Sequence, residues 1–240
     1  MRLSGLAAIA LLGSTFAYPA PPTDATVDTY YGSTIPDPYR PLESIDAPAT
    51  RAWVEAEAAL TRSYLDAIPQ RAAIRSHLQA IANYERYTVP FHVRDRYFYL
   101  YNPGLAEQSV LYTMRGPNGT PRVLIDPNAM SADGSVTLGG EQPSWDARYL
   151  AYSTHSSGSD WETWRVRDIA SGKDLPDTLQ WSKFSSAAWA PDASGFYYER
   201  YPAPAAGEAY KGALSGQSVA FHRLGTPQSS DAQLYFRRDH

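Results

Sequence analysis

A seven-residue phrase, in which a turn leads into an aromatic strand, occurs three times and constrains the fold of this chain most strongly. The phrases occupy residues 95–101, 146–152 and 192–198, so that they lie about 51 and 46 residues apart. Spacing of this size is typical of the blades of a β-propeller. Each blade is a small antiparallel sheet that cannot bury both faces alone, so it stacks on its neighbours. The sequence therefore predicts about three consecutive blades.

The composition agrees with a mainly β fold, a partial β-propeller that follows an N-terminal helical segment. The chain has 18 Tyr, 6 Trp and 7 Phe, and aromatic rings favour strands because they pack well on a pleated surface. An arc of about three blades leaves sheet faces open that a closed ring would cover. We therefore expect the chain to be the front part of a larger protein.

The N-terminus has the pattern of a secretory signal peptide over residues 1–17. Arg2 supplies the positive charge, residues 6–12 form a short apolar run, and Thr15 and Ala17 place small residues before the cleavage point. The alternative is a buried or disordered N-terminal segment. The run is too short to span a bilayer comfortably, so we expect no membrane partner and a secreted or periplasmic product. The net charge of −4 excludes the basic footprint of a nucleic-acid-binding protein.

The remainder divides into an extended and helical segment, 18–83, and an incomplete propeller, 84–240. Asp46 is predicted to cap a helix over 49–67 that has Pro48 just inside it, and a second helix is predicted from near Pro69 to about Asn83. From Tyr84 onward the helical period gives way to short aromatic runs between turn clusters. The predicted strands are 96–102, 109–115, 122–125, 149–153, 161–168, 195–201, 218–224 and 233–237.

Several segments resemble the prolyl oligopeptidase family of serine peptidases. The resemblance runs in order along the chain from about Val27 to the end. The segments are 27–32 (VDTYYG), 35–43 (IPDPYRPLE), 50–57 (TRAWVEAE), 99–105 (YLYNPGL), 108–112 (QSVLY), 124–128 (LIDPN), 157–161 (SGSDW), 183–185 (KFS) and 188–189 (AW).

This resemblance implies a definite architecture and activity for the whole protein. The family has an α/β-hydrolase domain whose N-terminal piece precedes a seven-bladed propeller and whose long C-terminal piece follows it. Its enzymes cleave short, proline-containing oligopeptides after proline, and the propeller caps the active site and keeps folded proteins out. The chain then contains the N-terminal helical segment of the hydrolase domain and about three of the seven blades. The C-terminal part of the same protein would supply the missing blades and the catalytic serine, aspartate and histidine.

The chain itself shows no catalytic signature. A hydrolase of this type needs a serine on a strand-to-helix elbow, usually within G-x-S-x-G, and no such motif is present. The nearest segment, 216–220 (GQSVA), has no predicted helix after it and is predicted to be a propeller loop. His77, His92 and His155 occur singly and there is no Cys, so the sequence predicts neither a metal site nor a cofactor.

Two residues are candidate substrate contacts. The resemblance implies that Phe184 projects from the propeller to line a substrate side-chain pocket, while the alternative is a core aromatic between blades. It also implies that Asp160 lies in a loop that faces the catalytic domain, where its carboxylate could pair with an arginine near the substrate. The alternative for Asp160 is an Asx turn before Trp161. The other tryptophans that recur with the repeat are predicted to pack the blades together with Trp161: Trp145, Trp164 and Trp189.

Two functions remain open at this point. The first is the N-terminal portion of a secreted, proline-specific serine endopeptidase, inactive alone because it lacks the nucleophile, base and orienting acid. The second is a non-catalytic propeller module that binds a peptide or a protein through its aromatic faces. A reading frame that continues past His240 into further blades and a G-x-S-x-G motif would favour the first.

Overall fold

The computed structural model describes residues 16–210 and 215–237. The predicted signal peptide, 1–17, therefore lies almost wholly outside the described residues. The chain divides into two compact units, 1–76 and 77–240. Within the described ranges, no helix is long and apolar enough to cross a membrane.

The first unit holds an antiparallel hairpin and the helical segment. Arg40 links two parts of it, because its guanidinium pairs with both Asp28 and Asp37. The second helix begins in this unit and continues into the next one. The elements are β1 (Val27–Tyr30), β2 (Ser33–Pro36), a 3-10 turn (Arg40–Glu43), α1 (Pro48–Asp66) and α2 (Arg71–Ala82).

The predicted cap of α1 is wrong, although both helices form close to their predicted positions. The N-cap residue is Ala47, and it makes no side-chain capping bond. Asp46 lies one residue upstream and pairs instead with Arg51 in the first turn. Pro48 is the first helical residue, as predicted, because its ring fixes a helical φ where no N–H partner is needed.

The second unit consists of three antiparallel sheets that follow one another in sequence. In the first sheet β5 lies between β6 and the short strands β3 and β4, and in the others the strands are hydrogen-bonded in chain order. This is a mainly β, partial propeller architecture. The first sheet contains β3 (Arg86–Tyr87), β4 (Phe91–Val93), β5 (Arg96–Asn102), β6 (Val110–Arg115) and β7 (Arg122–Ile125). The second contains β8 (Val136–Pro143), β9 (Tyr149–Ser156), β10 (Glu162–Asp168) and β11 (Asp174–Ser182). The third contains β12 (Ala188–Trp189), β13 (Gly195–Arg200), β14 (Ser218–Arg223) and β15 (Ala232–Phe236).

Each of the three repeated phrases leads into β5, β9 or β13, and in two of them an aspartate forms the turn. The Asp146 carboxylate accepts the Arg148 N–H at 3.1 Å, and the Asp192 carboxylate accepts the Ser194 N–H at 3.0 Å. The alanine between each pair has positive φ, 58° at Ala147 and 54° at Ala193. Asx turns tolerate this left-handed geometry, so the repeated aspartate has a local structural role.

Two apolar clusters join the sheets. One lies between the first and second sheets and is built on Phe98, Leu111, Leu150 and Tyr152. The other lies between the second and third sheets and contains Ala151, Trp164, Val166, Leu179, Trp189, Phe196 and Tyr198. Burial of one large apolar side chain contributes about 1.5–3 kcal/mol, so these clusters are the main cohesive contacts between sheets.

Two indole N–H groups strengthen the contact between the second and third sheets. Trp189 donates to the Gln142 carbonyl at 2.8 Å, and Trp145 donates to the Trp189 carbonyl at 3.2 Å. The predicted packing role is confirmed for the buried Trp164 and Trp189. Trp145 is 63% exposed, so it joins the sheets by a hydrogen bond at the surface more than by burial.

The structure contains strands that the sequence pattern did not predict, chiefly β8 and β11. Strand β8 carries Gly139 and Gly140, which lower strand propensity. Glycine is needed there because a Cβ at Gly140 would lie 2.8 Å from the Trp164 ring. Strand β11 contains a proline at its third position and alternates polar with apolar residues weakly. Neither strand shows the aromatic alternation on which the prediction relied.

A buried polar network fastens the third sheet to the second. The His222 ring lies between two carboxylates, with Nδ1 2.8 Å from Asp231 and Nε2 2.9 Å from Asp177. All three side chains are fully buried. Tyr198 donates its hydroxyl to Asp231 at 2.7 Å, and burial together with this bond raises the pKa of Tyr198 to about 12. The His222 ring therefore links Asp177 of the second sheet to Asp231 of the third.

We expect His222→Ala to destabilise the chain strongly. The substitution leaves the Asp177 and Asp231 carboxylates buried without their shared donor, a loss that costs about 3–5 kcal/mol. Urea unfolding of the full chain measures the change. His92→Ala is the matched control, because His92 is exposed on β4 and should change the unfolding free energy by less than about 1 kcal/mol. Equal effects of the two substitutions would contradict a structural role for the buried network.

Candidate functional site

The two candidate residues lie in neighbouring loops at one end of the second sheet. Asp160 is in the hairpin loop 157–161, between β9 and β10, and Phe184 is in the connection 183–187, between β11 and β12. Strands β9 and β11 both end where β10 begins, so topology places these two loops at the same end of the sheet.

The hairpin loop is held by its own serines. Ser157 has φ of 52° and donates its N–H to the Ser135 carbonyl at 2.9 Å. The Trp161 N–H is accepted by the Ser159 hydroxyl at 3.0 Å. The Asx turn weighed for Asp160 is therefore absent, because Ser159 makes the turn bond instead. Asp160 is exposed, and its carboxylate forms no hydrogen bond or ion pair with the residues that the structure describes.

The second loop presents Phe184 to solvent. The Phe184 ring is 72% exposed and makes no ring contact within the described chain, so it is not a core aromatic between blades. Its φ of 51° lies in the left-handed region, which is uncommon for a bulky residue and carries strain. A strained, exposed aromatic persists because the surrounding contacts hold the backbone in place.

Those contacts come from two glutamates. The Ser185 N–H, next to Phe184, donates to the Glu162 carboxylate at 3.3 Å. The Ser182 hydroxyl donates to the Glu199 carbonyl at 2.7 Å, and the Glu199 N–H donates to the Ser185 hydroxyl at 3.0 Å. Ser182 and Ser185, which lie on either side of Phe184 in the chain, thus tie this loop to β10 and β13 by hydrogen bonds.

Glu162 is the least expected member of this arrangement. It is 5% exposed, and its second carboxylate oxygen has no hydrogen-bond partner in the described structure. Burial of a carboxylate is unfavourable unless it is hydrogen-bonded. The Ser185 N–H offsets part of this cost and fixes the Glu162 carboxylate beside the loop that carries Phe184.

Trp161 connects the two loops. The Lys183 ammonium lies 4.2 Å from the centre of the Trp161 ring, within the range of a cation–π contact. Trp181 and Tyr201 meet the same ring edge-on, at centroid distances of 5.3 and 6.0 Å. The indole N–H donates to the Ala209 carbonyl at 2.7 Å. Trp161 thus contacts Tyr201 and Ala209, which follow β13, so it joins the second and third sheets at the surface and not in the buried core between them.

This cluster combines a neutral tyrosine hydroxyl with groups of opposite charge. Burial raises the pKa of the Tyr201 hydroxyl, and the nearby Glu199 adds to the effect, so Tyr201 stays neutral at physiological pH. Lys183 brings one positive charge beside the exposed Asp160 loop. Such a surface can bind an apolar side chain on Phe184 and a cation on Asp160.

The described residues do not assemble a nucleophile. Ser218 begins β14, is 8% exposed and donates to the Arg200 carbonyl at 3.4 Å. His222 lies four residues further along the same strand, roughly 13 Å away at the rise of a β-strand. Both of its ring nitrogens are already bound to aspartates. His222, Asp177 and Asp231 thus form a structural network that Ser218 does not join, and no strand-to-helix elbow follows Ser218.

The described part of the chain contains no cluster of three or more His, Cys, Asp or Glu residues suited to a metal ion. The aromatic loop cluster is therefore the candidate site. It consists of Asp160, Trp161, Glu162, Trp181, Lys183, Phe184 and Tyr201.

Comparison with known proteins identifies the family. A family model described as "Prolyl oligopeptidase, N-terminal beta-propeller domain" matches residues 18–240. The chain belongs to the prolyl oligopeptidase family. The predicted resemblance and the partial propeller fold are thereby confirmed.

Relatives from bacteria and fungi support this assignment. The chain is 38% identical over 219 residues to a prolyl endopeptidase of Elizabethkingia miricola, covering 91% of this chain and 31% of the relative. It is 33% identical over 257 residues to prolyl oligopeptidase A of Galerina marginata, covering 93% of this chain and 34% of the relative. The chain thus spans about a third of the length of these curated relatives.

Solved structures match in the same way. A prolyl endopeptidase structure superposes with a TM-score of 0.82 at 30% identity, covering 92% of this chain and 33% of that one. Prolyl oligopeptidase B from Galerina marginata, bound to a 35mer hydrolysis and macrocyclization substrate, has a TM-score of 0.76 at 30% identity. It covers 93% of this chain and 34% of the other.

We expect Glu162→Ala to loosen the loop that carries Phe184. The substitution removes the acceptor for the Ser185 N–H, so amide hydrogen exchange over 183–187 should become faster while the core of β9 stays protected. Glu162→Gln is the matched control, because its amide oxygen can accept the same bond and should keep exchange close to the wild-type rate. Unchanged exchange in Glu162→Ala would show that other contacts hold the loop.

Proposed function

We propose that this chain is the N-terminal portion of a secreted, proline-specific serine endopeptidase that cleaves short peptides. In this role the partial propeller covers the active site and supplies substrate contacts. The catalytic serine, aspartate and histidine come from the remainder of a longer protein. The observation that carries the proposal is the family match over 18–240 combined with an exposed, bracketed Phe184 at one end of the sheets.

Phe184 is suited to line a pocket for a substrate side chain. A flat apolar ring binds the ring of proline or another apolar side chain by contact area. The Phe184 backbone is already held by Ser182, Ser185 and their glutamate partners, so little ordering entropy is lost when a substrate binds. Because the ring is unpacked among the described residues, it is free to make this contact.

Asp160 is suited to pair with a cation from the catalytic domain or the substrate. Its carboxylate is exposed, lacks a partner among the described residues, and lies directly before the anchored Trp161. A charged hydrogen bond to an arginine would orient that arginine towards a substrate carbonyl. Asp160 therefore acts in this proposal as a positioning residue.

The 240-residue chain should be catalytically inactive by itself. Its sequence lacks G-x-S-x-G, and Ser218 and His222 are committed to other bonds. An acyl-enzyme cannot form without an activated nucleophile. The predicted signal peptide at 1–17 would direct the complete enzyme to the periplasm or the medium.

A second candidate function, a non-catalytic peptide- or protein-binding module, is favoured by one feature. The face of the first sheet that points away from the second sheet carries a ladder of tyrosines. Tyr99 stacks on Tyr112 at 5.5 Å, and Tyr87 contacts Tyr101 at 4.7 Å. An aromatic face of this kind can bind a partner, but it is equally suited to pack against a further blade. The two functions differ in whether the native protein hydrolyses peptides.

We expect Phe184→Ala to weaken peptide hydrolysis by the complete protein. Loss of the aromatic contact should raise KM and lower kcat/KM about tenfold, the equivalent of about 1.4 kcal/mol. Steady-state kinetics on a short peptide with an internal proline measure the effect. Asp160→Asn should lower kcat/KM in the same direction.

Tyr31→Ala is the matched control for Phe184. Tyr31 is also an exposed aromatic with φ of 51°, and it lies in the turn between β1 and β2. Tyr31→Ala should leave the kinetics unchanged, although it also replaces an exposed aromatic residue that has a left-handed backbone conformation. Wild-type kinetics in Phe184→Ala would refute the pocket role, whereas an intact protein without peptidase activity would refute the proposed enzyme.

A further inference from the structure

Three arginines converge on a cavity between the first and second sheets. The cavity has a volume of about 300 Å³ and is lined by Arg96, Arg115 and Arg122, by Thr113 and Thr120, and by Ala170. The arginines come from the starts or ends of β5, β6 and β7, and Ala170 comes from the turn after β10. No function described above uses these residues.

The cationic side chains have few partners. Arg96 is 9% exposed, yet its guanidinium makes no hydrogen bond or ion pair with the residues that the structure describes. The Nη2 atom of Arg122 is buried without a partner, and so is the hydroxyl of the fully buried Thr113. Buried polar groups are normally satisfied, and unsatisfied ones cost free energy. Three donor groups without a partner around one cavity form a site suited to a ligand that accepts hydrogen bonds.

The sheet register makes this arrangement unfavourable without a counter-charge. Arg96 lies directly opposite Arg115 in the β5–β6 pair, and like charges opposite each other destabilise a sheet. Arg122 lies opposite Thr113 in the next pair. Burial, with the neighbouring Arg115 and Arg122, lowers the pKa of Arg96, which is consistent with crowding of positive charge.

The nearby carboxylates neutralise this charge only in part. Asp95 lies 3.6 Å from Arg115, and both side chains of this pair are more than 60% exposed, so their interaction is weak. Asp168 also lies near Arg96 and is held by Ser171, whose N–H and hydroxyl donate to its carboxylate at 2.7 and 2.9 Å, so the two aspartates offset two of the three positive charges. The cavity therefore keeps a net positive charge.

We propose that this cavity binds a phosphate group, either as inorganic phosphate or as part of a small phosphate monoester. Guanidinium groups match phosphate oxygens in a bidentate way, and three of them from different strands suit a tetrahedral anion with several oxygens. A planar carboxylate has two oxygens and would be satisfied by one arginine. The volume is at the small end of the range for ligand pockets, which favours a small ligand.

The site is independent of the proposed peptidase role. Strand β10 runs from Glu162, beside the Asp160 loop, to Asp168, beside Ala170, so the two sites lie at opposite ends of the second sheet. A bound phosphate would bridge three strands of the first sheet and lie against a turn of the second sheet. Its binding should therefore stabilise the packing of these two sheets.

Thermal unfolding of the full chain tests the proposal. At constant ionic strength, inorganic phosphate should raise the unfolding temperature in a saturable manner, as expected for a ligand that binds the folded state. Glycerol 3-phosphate should do the same if the cavity admits monoesters, and no effect of glycerol 3-phosphate would restrict the site to the free ion. Sodium chloride and sodium acetate should have no saturable effect. A shift with acetate equal to that with phosphate would overturn the proposal, as would no shift with phosphate.

Substitutions separate a ligand site from a merely structural cluster. Arg122→Gln and Thr113→Val should abolish or reduce the phosphate-induced shift. Arg96→Gln should abolish it and leave the phosphate-free protein at least as stable as the wild type, because it removes a like-charge contact. Arg115→Gln, at a largely exposed position, provides a variant that should fold if the buried substitutions do not. Arg75→Gln, on an exposed face of α2, removes the same charge and should leave the shift unchanged; an equal loss in Arg75→Gln would overturn the assignment.

Discussion

The structure depends on the fact that a four-stranded sheet with two apolar faces must be covered on both sides. Strand β9 shows this directly, because Leu150 and Tyr152 belong to the cluster with the first sheet, while Ala151 belongs to the cluster with the third. Alternation along one strand thus joins three sheets. The second sheet is covered on both faces, and the tyrosine face of the first sheet has no covering sheet within the described residues. Each further sheet stabilises the previous one, which is the cohesive principle of a propeller.

The same principle explains which strands could be predicted from the sequence. Strands β5, β9 and β13 follow a turn and carry aromatic or aliphatic residues at alternating positions, so the period-2 pattern is clear. Strand β8 could not be found in this way, because Gly139 and Gly140 make room for Ser153, His155 and Trp164 from neighbouring strands. Its sequence is set by what packs against it. A prediction made from one segment at a time cannot detect a requirement that is set by residues of other strands.

The candidate site also combines residues that could be predicted from the sequence with residues that could not. Phe184 and Asp160 could be proposed from the family resemblance, because they stand within the short motifs KFS and SGSDW. The groups that hold them could not, since Glu162 and Ser185 are 23 residues apart in sequence and meet through the β10–β11 pairing. Trp161 resembles a packing residue by its spacing, and its cation–π partner Lys183 is recognisable only in three dimensions. The sequence therefore points to Phe184 and Asp160 themselves, whereas only the structure shows the residues that hold them in place.

We propose above that this chain works as one part of a longer, exported peptidase, and the native protein tests this proposal. The most direct measurement is the intact mass of the native protein in the periplasm or culture fluid of the organism that encodes it, detected with an antibody raised to residues 84–200. We expect a species close to three times the mass of this 26.5 kDa chain, because the chain spans about a third of its relatives. A stable native species of about 25 kDa, the size expected after signal removal, would contradict it.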